Sequence, residues 1–204
     1  EIDSFVVRNK QRLQVDLNKN DFVAYRKFTE MLYGEAHPYG YNSYPETYSA
    51  ITREDLLTHF QENYTSGNCM IFLSGKISEA TRRLLEEYLG KAIPKGERRQ
   101  AVLLPVNLQP EKVDSPLSDS VQLAVRIGCH LFNRQHPDHN GMYVLNTILG
   151  GYFSSRLMTN IREKKGYTYN IYSSHEAMLY GGYFYVGTEV SNEFVKPTVK
   201  EIYA

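Results

Sequence analysis

Six histidines and two cysteines are the residues of this chain best able to hold a metal ion, and their spacing is the first thing to weigh. The densest group is His136-Pro137-Asp138-His139, with His130 just upstream. Such donor density suits a metal, but Pro137 breaks the helix that would fix the ligands, and Asp138 fits better as the cap of a following helix. His37 stands before Pro38 in a turn and His175 follows a strand pattern, and neither has a second ligand at a useful spacing. Cys69 and Cys129 each fall in an apolar strand-like run, so both are expected as small buried core residues rather than as a disulfide or a metal site. Gly150-Gly151 lacks the following Gly-Lys-Ser/Thr of a phosphate loop and reads as a turn between helices. Arg162 and Tyr169 need no function as bare residues: a guanidinium can neutralise carbonyls at a helix C-terminus, and a tyrosine can pack in a strand.

The elements that would position these groups can be read from periodicity. Leu145, Ile148 and Leu149 make the apolar stripe of a helix ended at Gly150 and Gly151 by a left-handed cap. Ser154 or Ser155 can cap a second helix, with Leu157 and Ile161 facing the core and Gly166 closing it. Tyr167, Tyr169 and Ile171 then alternate with Thr168, Asn170 and Tyr172, as in a strand. A further strand is led by Gly182 and runs to Val190, and a final helix lies around Val195 to Tyr203. Before all of these comes the cleanest strand in the chain, with Val121, Leu123, Val125, Ile127 and Cys129 inward against Gln122, Ala124, Arg126 and Gly128.

The front of the chain is mostly helical. Phe22, Tyr25, Phe28 or Thr29, and Leu32 keep one face apolar until Gly34. Thr52 opens a helix with Leu56, Leu57, Phe60 and Tyr64 inside, and Cys69 to Ser74 reads as a short buried strand. Ser78 caps a helix striped by Leu84, Leu85, Tyr88 and Leu89. Prolines 105, 110 and 116 discourage regular structure beyond it. Residues 1–94, a linker at 95–118 and residues 119–204 therefore form the expected organisation. The fold class is α+β, an antiparallel sheet with helices packed on one face.

At 204 residues, 42% hydrophobic and 23% charged, the composition is that of a soluble globular protein. Equal numbers of acidic and basic residues give no electrostatic footprint for nucleic acid, and no apolar run is long enough for a membrane segment. The compartment is not encoded in these features.

The run LNTILGGYFSSRLMTNIREKKGYTYNIYSS at 145–174 resembles the second-domain signature of the pitrilysin/insulinase family of zinc metallopeptidases, which includes the mitochondrial processing peptidases. Residues 28–78, with their HPYG turn at His37 to Gly40, are similar to the tail of that family's first domain. The resemblance implies the metallopeptidase repeat fold of the processing-peptidase type: a truncated first repeat, mostly helical, and a second repeat cut at its last helix. On that view the chain is a segment of a larger protein.

Catalytic members hold zinc on an H-x-x-E-H helix with a later glutamate, and no such motif occurs here. The nearest approach, His59-Phe60-Gln61-Glu62-Asn63, puts an asparagine where the second histidine belongs. The stretch at 6–20 corresponding to the third ligand has only Asp16. No catalytic residue and no metal site is therefore expected in this chain, and zinc is expected in a catalytic partner half. The resemblance also implies that Arg162 and Tyr169 reach across a chamber to bind substrate, since a guanidinium and a phenol can both donate to a peptide carbonyl.

The leading expectation is the non-catalytic half of a zinc metalloendopeptidase. It would close a peptide chamber with a catalytic half, on the same or a separate polypeptide, in a dimeric assembly acting on unfolded peptides. Two alternatives remain open: a non-enzymatic peptide-binding or scaffold module of the same family, and a truncated catalytic protomer with its zinc motif upstream of residue 1.

Overall fold

A computed structural model describes residues 1–100, 102, 104–106, 108–115 and 121–204. Parts of the expected linker at 95–118, and the expected start of the second repeat at 119, lie outside the described residues. The chain divides into two compact units, one of Glu1–Arg8 with Pro45–Leu103 and the other of Asn9–Tyr44 with Leu104–Ala204.

The second unit is built on three antiparallel strands, β1 (Gln122–Leu131), β2 (Thr168–Ala177) and β3 (Gly182–Ser191), in the order β1-β3-β2. β2 and β3 form a hairpin closed by the Met178 N–H donating to the Gly181 carbonyl at 2.9 Å. Register places Ile127, Val186 and Ser173 in line on one face, and Gly128, Tyr185 and Ser174 on the other. Helix α6 (His139–Gly150), a π-helical turn at Met158–Lys164 and helix α7 (Val195–Ile202) pack on the first face. Its core is Leu157, Met158, Ile161, Ile171 and Val186, with Ile161 and Ile171 wholly buried. Emptying either site to alanine would cost about 2–5 kcal/mol. Below the core, Glu201 accepts from Lys165 at 2.7 Å and from Asn160 at 3.0 Å, tying α7 to the end of the π turn.

The opposite face is covered by helix α2 (Asn20–Tyr33), which follows α1 (Ile2–Asp16) in the chain, a layer the element order did not reveal. α2 ends at Gly34 as its periodicity implies. Phe28 and Tyr33 meet Tyr183 and Tyr185 edge-on or tilted, at centroid separations of 5.6 to 6.1 Å. Such ring pairs add about 0.5–1.5 kcal/mol each to the area they bury. Burial pushes the Tyr33 phenol up to about 12, and its hydroxyl donates to the Gly182 carbonyl at 3.2 Å. Arg126, assigned by alternation to a polar face, has a side chain only 3% exposed. It is accommodated by an ion pair with Asp21 and by the rings of Tyr172 and Tyr185 at 5.5 and 5.7 Å.

Several expectations need correction. Val121 and Leu123 are exposed and Cys129 is an exposed free thiol: β1 is an edge strand, and on that face α6 and the π turn pack on β2 and α7 on β3. In α6, Leu145 and Ile148 are exposed; Leu149 alone of the expected stripe packs against the core. Asp138 precedes α6 but makes no capping bond; its own N–H donates to His136 Nδ1 at 3.2 Å. Gly151 sits at φ −84, so no left-handed cap operates there. Glycine is needed at Gly150 for another reason: a Cβ would stand 2.4 Å from the Ser173 nitrogen, where α6 crosses β2. Ser155 caps nothing through its side chain; its hydroxyl is buried without a partner.

The first unit contains helices α3 (Pro45–Ala50), α4 (Arg53–Asn63) and α5 (Glu79–Leu85). Their caps follow the sequence. Thr52 accepts from the Asp55 N–H, and the Asp55 carboxylate accepts from the Thr52 N–H and hydroxyl, which holds that carboxyl below its usual range. Ser78 accepts from the Thr81 N–H. Their apolar stripes, however, are not buried: Leu56, Leu57, Phe60, Tyr64, Leu84, Tyr88 and Leu89 are exposed. Cys69 to Ser74 forms no strand, and Phe72 within it is 85% exposed. An extended segment needs a hydrogen-bonded neighbour to become a strand, and among the described residues all three strands lie in the other unit. Cys69 is likewise an exposed free thiol.

Two measurements test this packing. Gly150→Ala should destabilise the protein by about 1–3 kcal/mol in urea unfolding through forced overpacking. Gly141→Ala, in the same helix with nothing within 4 Å, should instead stabilise by up to about 0.5–1 kcal/mol. Separately, His175 lies 5.3 Å from His139 between β2 and α6, and burial, followed by the charge of His139, lowers its pKa from the usual 6.5, against a smaller opposing effect of Glu176. A depressed imidazole contributes stability that is present above pH 6.5 and lost as pH falls through the lowered value. His175→Asn should flatten the loss of urea midpoint between neutral and mildly acidic pH; an unchanged slope would exclude His175 as the source.

Candidate functional site

Arg162 and Tyr169 reach one another through three local devices. The π-helical turn at Met158–Lys164 buries Ile161 and leaves the next residue, Arg162, at the rim. Such turns carry one extra residue per hydrogen-bonded loop, which rotates side chains relative to an α-helix. Gly166, at φ 66, then reverses the chain: its N–H donates to the Arg162 carbonyl at 3.1 Å, and the Tyr167 N–H donates to the Ile161 carbonyl at 3.1 Å. Tyr167 stacks on Phe194 with centroids 5.0 Å apart, fixing the entry to β2.

The third device is a β-bulge. Thr168 pairs with Val190 and Ile171 with Thr188, so three steps on β2 oppose two on β3. The period-two alternation expected of Tyr167, Tyr169 and Ile171 is broken at that point. Ile171 is wholly buried, whereas Tyr169 is 86% exposed. Threonine hydroxyls hold the bulge: Thr188 Oγ1 lies 2.9 Å from the Asn170 carbonyl and 3.0 Å from Thr168 Oγ1. Thr168 Oγ1 lies 2.7 Å from the Glu189 carbonyl and accepts from the Asn170 N–H at 3.2 Å.

Turned outward, the Tyr169 ring takes the Arg162 guanidinium at 5.3 Å, and Phe153 takes it at 4.5 Å. Each such contact is worth about 0.5–1 kcal/mol at an exposed site. Among the described residues no carboxylate pairs with this guanidinium and no hydrogen bond from it is found. A cation clamped between two rings with its edge donors free can receive a carbonyl or carboxylate oxygen. Phe153, Thr168 and Thr188 escaped the sequence reading. Phe153 sits in a turn whose partner is nine residues on, and a bulge leaves no mark in composition; the only trace is that Tyr169 cannot share the buried face of Ile171.

The histidines do not assemble a metal centre. Among the described residues no group of three or more His, Cys, Asp and Glu side chains is placed to hold an ion. His59 is exposed, and the Asn63 side chain bonds back to its carbonyl at 2.8 Å. His37 Nδ1 accepts from the Tyr39 N–H at 3.0 Å within its turn. His136 stacks on Phe132 with centroids 4.0 Å apart. No helix among the described residues is long and apolar enough to cross a membrane.

Comparison with known proteins places this architecture. The chain is 27% identical over 174 residues to the uncharacterized zinc protease YmxG of Bacillus subtilis, covering 79% of this chain and 41% of that protein. It is 28% identical over 157 residues to the probable mitochondrial-processing peptidase subunit beta of Schizosaccharomyces pombe, covering 66% of this chain and 34% of that protein. The crystal structure of a peptidase M16 inactive domain from Pseudomonas fluorescens superimposes with a TM-score of 0.79 at 26% identity, over 98% of this chain and 50% of that one. The chain thus spans less than half the length of these curated relatives and half of that structure. The model of the family described as the peptidase M16 inactive domain matches residues 50–204, most of the chain and the whole of the Arg162–Tyr169 region, and the chain belongs to that family.

Proposed function

We propose that this chain is the non-catalytic half of a pitrilysin-like zinc metalloendopeptidase, closing a peptide chamber with a catalytic half and presenting Arg162 and Tyr169 to the substrate. The observation that carries the reading is the Arg162 guanidinium held between Phe153 and Tyr169 with its edge donors free. Held in that way, Arg162 donates to a carbonyl oxygen of the bound peptide, and the exposed Tyr169 hydroxyl donates beside it. Both donors are aimed before substrate arrives, so little reorganisation opposes binding. Zinc belongs to the catalytic half, on the same or a second polypeptide; this chain supplies donors and no ligand. Unfolded peptides are the substrates, and among the described residues β2 is an edge of the sheet, beside Tyr169, that an extended chain can join. Family membership and the absence of an H-x-x-E-H helix support an assembly of two halves.

The test is peptidase activity of the full-length parent purified with its catalytic partner. Arg162→Ala should lower kcat by about 10²–10³-fold, the loss typical of one preorganised donor, while stability falls by no more than the ~1–2 kcal/mol of its two ring contacts. Tyr169→Phe keeps the ring over Arg162 and removes only the hydroxyl, and should lower kcat by a smaller factor. Wild-type activity in both variants would refute the shared site, and peptide binding with no cleavage by any purified complex would point to a scaffold role instead.

A further inference from the structure

We propose that Thr188, acting with Thr168, is a positioning residue: its buried hydroxyl holds the bulge that turns Tyr169 out of the sheet and onto Arg162. The inference rests on the reading of Tyr169 as a substrate-binding residue and adds to it a second-strand group that touches neither substrate nor Tyr169 itself. Thr188 is 2% exposed, in the middle strand, where a valine would pack as well and would cost no buried hydroxyl. Its hydroxyl is nevertheless satisfied, and by the bulge rather than by its own strand. Each hydroxyl carries one proton. Giving Thr188's proton to the Asn170 carbonyl at 2.9 Å and Thr168's to the Glu189 carbonyl at 2.7 Å satisfies both acceptors, while Thr168 Oγ1 accepts the Asn170 N–H.

Thus both backbone groups of Asn170, the residue that follows Tyr169, find threonine hydroxyls. Without the Thr188 hydroxyl the Asn170 carbonyl loses its buried donor, because Thr168 Oγ1, at 3.0 Å from it and 2.7 Å from the Glu189 carbonyl, has a single proton to divide between them. The alternative pairing is a regular ladder, which moves each β2 side chain ahead of Ile171 to the other face and takes Tyr169 off Arg162.

A crossed pair of substitutions separates this role from simple packing. Thr188→Val keeps the shape and removes the hydroxyl; Thr188→Ser keeps the hydroxyl and removes a buried methyl. Two readouts are taken on the full-length parent with its partner: kcat and KM on a peptide substrate, and the 19F resonance of 3-fluorotyrosine placed at position 169. Arg162→Ala supplies the 19F position of a ring freed from the guanidinium. Thr188→Val should move the resonance toward that position and lower kcat by about 10- to 100-fold, the range a displacement of about 1 Å costs, while Thr188→Ser stays near wild type in both. The double variant Thr168→Val/Thr188→Val should shift the resonance further.

A Thr188→Val resonance at the wild-type position overturns the proposal, as does a Thr188→Ser protein impaired as much as Thr188→Val. The outcome for the underlying reading is separate. Full activity of Tyr169→Phe and Arg162→Ala would dismiss Tyr169 as a substrate contact, and the 19F series would still decide whether the Thr188 hydroxyl sets the ring.

Discussion

Every strand pairing in the described structure runs through β3, and that constraint governs the rest of the molecule. A middle strand has no free edge, and here helices cover both faces of the sheet, so nearly every residue of β3 packs against one of two different layers. Tyr183 and Tyr185 face α2 and carry the aromatic layer, while Val186, Thr188 and Val190 face the α6, π-turn and α7 side and leave room for close helices. The exposed exception is Glu189, at the point where the bulge lifts β2 away from regular pairing. Tyrosine suits one layer because its ring fills area while its hydroxyl can end on a carbonyl or on another phenol. Burial raises the Tyr183 and Tyr185 phenols, so both remain neutral donors throughout any physiological range.

Features decided within a few residues were legible in the sequence. The helix start at Thr52, the Ser78 cap, the end of α2 at Gly34, and the strands at β1 and β3 all rest on local chemistry or on simple periodicity. Features decided at long range were not. Alternation assigned Arg126 to a polar face because nothing near it in the sequence announces Asp21, over a hundred residues upstream, or the tyrosine rings it lies against. The stripe of Leu56, Phe60 and Tyr64 is a true helical pattern, yet a pattern states only which face can be buried and not what buries it. The same reasoning covers Cys69 to Ser74, whose β-forming composition lacks a partner strand among the described residues.

At the candidate site the residues were legible and the geometry was not. Arg162 and Tyr169 were singled out by the family resemblance of the run at 145–174, while local pattern assigned them only to two separate elements, a helix end and a strand start. Their meeting depends instead on two irregularities, an extra residue in a helical turn and an extra residue in a strand. Each displaces a side chain from where ideal periodicity would put it, and the two displacements converge. Phe153 completes the arrangement from a turn that no periodic pattern covers. The residues that build the site are therefore ordinary in identity and unusual only in placement.

The bulge between Thr168 and Ile171 also makes chain length at this spot a functional variable. Segments near the start of an edge strand ordinarily tolerate insertions and deletions, since little downstream depends on them. Here one residue fewer between Tyr169 and Ile171 would let the ladder close without a bulge, pairing the tyrosine directly with Glu189 and losing the bulge that presents it to Arg162, with the arginine and the tyrosine both still present. Among proteins related to this one, the count of residues from the buried isoleucine of the turn to that of the strand, Ile161 to Ile171, is thus as telling a character as the arginine and tyrosine that lie between them.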